Sequence, residues 1–372
     1  MMSESYVLSE NIADVVFFLI LLLSGYHVYT GHCKNKKASL SYVIYWGILI
    51  FLFSLYGYLD LDFYNYRYTL KHYFHTHEEI HMEPIYFYIA DITESFMVWR
   101  AFVWGMATII MIYTIKRFNL SYVSTYFFLT ILYAFSFYKL RSSIGISILF
   151  LGLSYILVYH KNNKIFSTFI GLILICSSYF FHKSMPVALA VMIVAYIFPF
   201  NRFSIKCSLI AFPFLVTAVT NLIDVFIGYN YSVSSEQMSM AIESGTRYAT
   251  SESATHNLNG IFRMVLSYTP IYMGLYLLTK DIIFRQTNYP KTVLYLYKYW
   301  YIMTYVASLF FLQEVSFWIY IRFLTMSFFP MALVLGYYYY THRMTFIMKL
   351  LILIGILASL MDAFYPIFKR FA

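Results

Sequence analysis

A chain of 372 residues with a mean hydropathy of +0.66, 61% hydrophobic and only 12% charged residues has too little polar surface to enclose one water-soluble core. It reads as an all-α, polytopic integral membrane protein. The formal net charge of +9 would point to nucleic acid in a soluble protein, but here the basic residues sit in short loops between apolar runs, where they orient helices; nucleic-acid binding is excluded.

A helix rises about 1.5 Å per residue and the hydrocarbon layer is about 30 Å thick, so an uncharged window of about 20 residues crosses once. About twelve such windows follow one another, near residues 13–31, 40–57, 97–115, 120–138, 143–159, 165–181, 185–200, 207–228, 262–279, 293–312, 319–340 and 345–365. The first has no basic stretch before it and no small-residue cleavage site after it, so it is expected to stay as a helix. With these crossings the clusters Lys34-Lys36-Lys37, Lys116-Arg117, Lys161/Lys164, Arg202/Lys206, Lys280/Arg285/Lys291 and Arg343/Lys349 all fall on one side. The positive-inside rule makes that side cytoplasmic and places both termini on the extracytoplasmic side. Of the 17 acidic residues only Asp281 then faces the cytoplasm, a check that did not enter the assignment.

Residues 1–372 thus form a single membrane domain with two long outer segments. Residues 58–96 are the first extracytoplasmic loop. Residues 229–260 are a larger, Ser-, Glu- and Asn-rich loop that reads either as a lid over a site or as a disordered connection. The run Tyr337-Tyr338-Tyr339-Tyr340, near the inner interface, reads as an aromatic anchor. The cysteines Cys33, Cys176 and Cys207 lack metal-ligand spacing and belong to different helices, which supports neither a disulfide framework nor a thiolate metal site.

Chemistry concentrates around residues 139–186, KLRSSIGISILFLGLSYILVYHKNNKIFSTFIGLILICSSYFFHKSMP. Two apolar segments joined by a charged turn bring Arg141 and His182-Lys183 to the same, outer face. A membrane arginine on the side that lacks the cytoplasmic signal is a candidate anion holder. Arg263 and Arg322 also stand at outer helix ends. Arginine keeps its charge when desolvated and meets phosphate with a planar fork, so the set suits a lipid-linked phosphate or pyrophosphate; the alternative for each is a side chain snorkelling to headgroups. His182 reads as a general base or as a hydrogen-bonded structural histidine. Asp62, in DLDFYNY, reads as a sugar-site carboxylate among aromatic rings or as a solvated loop aspartate. In HTHEEIHMEP, His77-Glu78-Glu79-Ile80-His81 matches a zinc-peptidase pattern, but Pro84 and polar flanks argue against the continuous helix that pattern needs, and no metal site is assigned.

Taken in order, these features resemble the EpsG-like branch of the Wzy polysaccharide polymerases over nearly the whole chain. The resemblance rests on Asp62 to Tyr66 (Asp-x-x-x-Tyr), on Glu83-Pro84-Ile85-Tyr86 leading into a helix, and on Arg141 to Ile146 at a helix start. Phe181 to Ser184 (Phe-His-x-Ser) and the arginine-led RFLTMSFFP from Arg322 to Pro330 complete it. Where the family often has Gln and Ala in the third motif, this chain has Ser142 and Gly145, and Asp60-Leu61 stands where Gly-Thr often precedes the loop aspartate.

The resemblance implies a cofactor-free, metal-independent glycosyl transfer at the outer face of the bacterial plasma (inner) membrane, between undecaprenyl-pyrophosphate-linked oligosaccharides, to build O-antigen, capsule or exopolysaccharide. A chain-length regulator and a flippase are the partners it implies. Arg141 and Arg322 would stabilise the leaving pyrophosphate, with Lys183 and Arg263 as further phosphate contacts and His182 or Asp62 as the base. An O-antigen ligase-type transferase and a flippase or transporter of lipid-linked sugars are the alternatives; the transporter would be expected to show repeated halves or matched broken helices.

Overall fold

The computed structural model describes residues 63–79, 82–118, 120, 140–158, 164–231, 258–285, 288–310, 317–342, 345–355 and 357, together with Leu23, Tyr26, Tyr29 and Thr30; for 63–65, 140, 222–231, 258–268, 284 and 317–322 it describes the backbone alone. Among the described residues every regular element is a helix. In order these are α1 (Phe63–Thr76), α2 (Pro84–Thr93), α3 (Phe96–Phe118), α4 (Leu140–Leu157), α5 (Lys164–Phe181), α6 (Met185–Ile197), α7 (Arg202–Tyr231), α8 (Leu258–Thr279), a π-helical turn (Lys280–Phe284), α9 (Lys291–Ser308) and α10 (Phe317–Thr341). A short α11 (Phe346–Gly355) follows. Phe96–Phe118, Lys164–Phe181 and Arg202–Asn221 are long and apolar enough to cross a membrane. Expected crossings near 40–57 and 120–138, most of 13–31, the end of 345–365, and 232–257 of the candidate lid lie outside the described residues.

The segment 58–96 carries two helices. Along α1, Tyr66, Leu70 and Tyr73 recur at helical spacing and are buried, whereas Arg67, Tyr68, Lys71 and His75 are exposed. The buried face meets α2: the Tyr73 and Phe87 rings lie 4.6 Å apart and the Tyr73 hydroxyl donates to Asp91 at 2.9 Å. α1 stops at Thr76, and His77 takes a left-handed φ of 56°, so His77, where the zinc-peptidase pattern begins, lies off the helix; Ile80 and His81 lie outside the described residues. α2 begins with Pro84 in its first turn, where no N–H is needed, and ends at Glu94, left-handed at φ 49°. That corner turns the chain into α3, whose Trp99 donates its indole N–H to the Tyr86 carbonyl at 2.9 Å.

α4 and α5 form an antiparallel hairpin held by two facing glycines. A Cβ on Gly171 would stand 2.7 Å from the Gly152 carbonyl oxygen, and one on Gly152 would stand 2.6 Å from that of Gly171, so the backbones touch. Ser167 donates to the Tyr155 carbonyl at 2.7 Å across the same seam. Gly171→Ala is therefore expected to force the helices apart at a cost of about 1–3 kcal/mol. Gly145→Ala, whose nearest neighbour would be the flexible Met185 Sδ at 3.2 Å, should cost less. Thermal unfolding in detergent checks the order. At the far end of the hairpin Arg117 of α3 lies 3.5 Å over the Tyr155 ring and donates to the Val158 carbonyl at 3.3 Å.

The second half packs on α9 and α10. Leu296, Tyr297, Tyr299, Trp300 and Met303 are fully buried, and α10 is buried continuously from 324 to 336. Tyr295 donates to the Met192 carbonyl at 2.7 Å, Lys298 to that of Phe198 at 2.9 Å, and Tyr305 to that of Ser208 at 2.6 Å, tying α9 to α6 and α7. The one acid expected at the basic end closes this half. Asp281, 3% exposed on the π-helical turn, accepts from Tyr289 at 2.5 Å and Arg285 at 3.3 Å and faces His342 Nε2 at 3.3 Å. The His342 ring stacks on Tyr338 at 4.3 Å, so the tyrosine run packs here as well as facing outward: Tyr338 and Tyr339 are buried and Tyr340 is exposed. Burial and Asp281 push the Tyr289 hydroxyl well up, which keeps it a donor. Asp281→Asn sets an amide N–H₂ against these donors and should destabilise the fold by about 2–3 kcal/mol, read as a lower unfolding temperature in detergent.

Candidate active site

The site lies where the starts of α2 and α4 meet the end of α5. Glu83 occupies the N-cap position of α2 with an extended backbone, φ −70° and ψ 143°, yet its carboxylate makes no cap bond. The side chain turns instead into the junction of the α4/α5 hairpin, where it is 5% exposed. Arg141 Nη1 donates to Glu83 Oε2 at 3.0 Å, the Lys183 backbone N–H donates to Glu83 Oε1 at 3.3 Å, and His182 Nδ1 lies 3.6 Å from the same Oε1. One buried carboxylate thus links Arg141, His182 and Lys183 at one end of the hairpin.

Aromatic groups complete the seat. Arg141 Nε donates to the Tyr66 hydroxyl at 3.1 Å, and the guanidinium carbon lies 5.4 Å from the Tyr66 ring centroid. Tyr86, fully buried, donates to the Phe181 carbonyl at 2.9 Å and approaches the Arg141 carbonyl at 3.2 Å, which clamps the two mouths of the hairpin to each other. Trp99 packs against both tyrosines, with centroids 6.0 Å from Tyr66 and 5.8 Å from Tyr86. Behind His182, Gly145 leaves room: a Cβ there would stand 3.4 Å from the His182 Cβ. The side chains of Arg141 and His182 keep 24% and 17% exposure while Glu83 lies beneath them. A fixed guanidinium beside an imidazole, both reachable, is chemistry for an anion next to a hydroxyl.

The EpsG family model matches residues 39–370. The chain belongs to the EpsG family. Neither the curated proteins nor the solved structures contain a match to it. Membership associates this EpsG chain with polysaccharide-polymerase-like, glycosyltransferase-like function on lipid-linked saccharides in a membrane, and its apolar helices agree with that setting.

Of the residues singled out from the EpsG sequence, Arg141 and His182 come together and Lys183 joins them through its backbone N–H, its side chain being exposed. Arg263 lies on α8 and Arg322 on α10, their side chains outside the described ones, and Asp62 lies outside the described residues. Sequence reasoning assigned no role to Glu83, Tyr66 or Tyr86, although all three stood inside the quoted motifs. A glutamate fixed before a proline, in a chain with so few acids, was the available signal.

Proposed function

We propose that this protein polymerises undecaprenyl-pyrophosphate-linked oligosaccharide repeat units by metal-independent glycosyl transfer at the outer face of the plasma membrane, building O-antigen, capsule or exopolysaccharide. The observation that carries this reading is the seating of Arg141 beside His182 on one buried carboxylate, at the mouth of a membrane hairpin. The terminal hydroxyl of one lipid-linked unit attacks the anomeric carbon of the growing chain. The bond from that carbon to the pyrophosphate oxygen breaks, and the electron pair leaves with the lipid pyrophosphate. Arg141, with Arg322, meets the charge that gathers there more strongly than in the ground state. His182 takes the hydroxyl proton, with Asp62 as the second candidate base. Lys183 and Arg263 serve as outer phosphate contacts, 229–260 as a lid, and a chain-length regulator and a flippase as partners.

The test is the length profile of surface polysaccharide from the host strain on a gel. Deletion is expected to collapse the ladder to a single repeat unit, and the wild-type chain supplied in trans to restore it. An intact ladder, or loss of even the single unit, would reject the polymerase and favour a ligase-type transferase or a flippase.

A further inference from the structure

Glu83 contacts the proposed pyrophosphate site without being able to bind an anion itself, and its two oxygens have different tasks. Oε1 is anchored from the α5–α6 junction, by the Lys183 N–H at 3.3 Å and beside His182 Nδ1 at 3.6 Å. Oε2 holds Arg141 Nη1 at 3.0 Å. At this contact the Glu83 carboxylate offsets part of the Arg141 charge. An anion that approaches Arg141 therefore meets a guanidinium already sharing one face with a carboxylate.

Resting on the reading above, we infer that Glu83 is a positioning residue that competes with pyrophosphate for Arg141 and so sets how tightly the site holds its anion. The anchored Oε1 keeps Glu83 in place while the Oε2 contact loosens as a phosphate takes the guanidinium, and the contact re-forms when the product leaves. A chain-extending enzyme must release a lipid pyrophosphate at every round. A buried arginine without a counter-charge would bind reactant and product alike more tightly, which does not speed the chemical step. Partial compensation keeps the fork aimed and the product free to go.

The test uses the full-length protein in detergent micelles and inorganic pyrophosphate as the probe, with affinity read by titration calorimetry. Glu83→Gln keeps the shape and removes the charge, and Glu83→Met removes it with an apolar side chain of like length. Either variant that retains a cooperative unfolding transition is expected to bind pyrophosphate on the order of tenfold tighter than wild type. Glu83→Asp, which keeps the charge, should not bind more tightly, and Arg141→Ala should bind at least about tenfold more weakly. If Arg141→Ala weakens binding but neither neutral variant tightens it, Glu83 is structural only and the inference is overturned with the phosphate site intact. If Arg141→Ala binds as wild type does, the phosphate reading itself falls.

Discussion

Replacing Arg141 by alanine is expected to slow polymer formation by about 100- to 1,000-fold, roughly 3–4 kcal/mol of lost transition-state stabilisation, the range seen when one preorganised donor to a developing charge is removed. The fold should survive, because the helix start is held through backbone: Tyr86 reaches the Arg141 and Phe181 carbonyls, and neither contact uses the guanidinium. Glu83 keeps the Lys183 N–H at 3.3 Å, so its carboxylate is not left without a donor. Lysine should not restore the rate. The seat uses two separate nitrogens, Nε on Tyr66 and Nη1 on Glu83, and a single ammonium cannot occupy both directions while facing a phosphate. Incorporation of labelled lipid-linked repeat units into polymer in isolated membranes measures this. A lysine variant with wild-type rates would show that charge alone suffices and that the fork has no role.

His182→Ala is expected to lower the same rate by about 100- to 10,000-fold, the usual contribution of a positioned general base. The ring is held on its Nδ1 side, 3.6 Å from Glu83 Oε1 and 3.5 Å from the Ser184 backbone N–H that donates to it. A histidine base works only when neutral, so with His182 in the proposed role wild-type activity should climb with pH on the acid side. Charged groups near that imidazole among the described residues include Glu83 and, across it, Arg141, with Lys183 next in the chain. In the alanine variant the residual activity should lose this acid limb, a change that loss of packing alone would not produce. His182→Gln, which keeps a polar group near Glu83 but cannot take up a proton, should behave like alanine. An unchanged pH profile in either variant would move the role of base to another residue, with Asp62 the next to test.

Much of the local organisation was legible without coordinates. Hydrophobic run length marked α3 and α5 as spanning helices, and the hairpin geometry brought Arg141 and His182 to one end because two helices of like length joined by a short turn must return to the same level. Asp281 stood out as an acid on the basic side, and it proved to be the acceptor around which that end closes. Glu83 was different. It sits 58 residues from Arg141 and 100 from Lys183, in a segment that looked like an outer loop, and its place before Pro84 marks a helix start without showing where the carboxylate points.

By itself, then, the sequence determined the class of protein, a helical membrane chain, because apolar runs of bilayer length favour helices. Tertiary structure alone decided which charges meet. A buried carboxylate selects its partners by distance and direction among groups remote in the chain, and it holds them because an uncompensated charge in so apolar a surrounding is costly. That is how Glu83, Tyr66 and Tyr86 became the frame of a site whose visible members were Arg141 and His182.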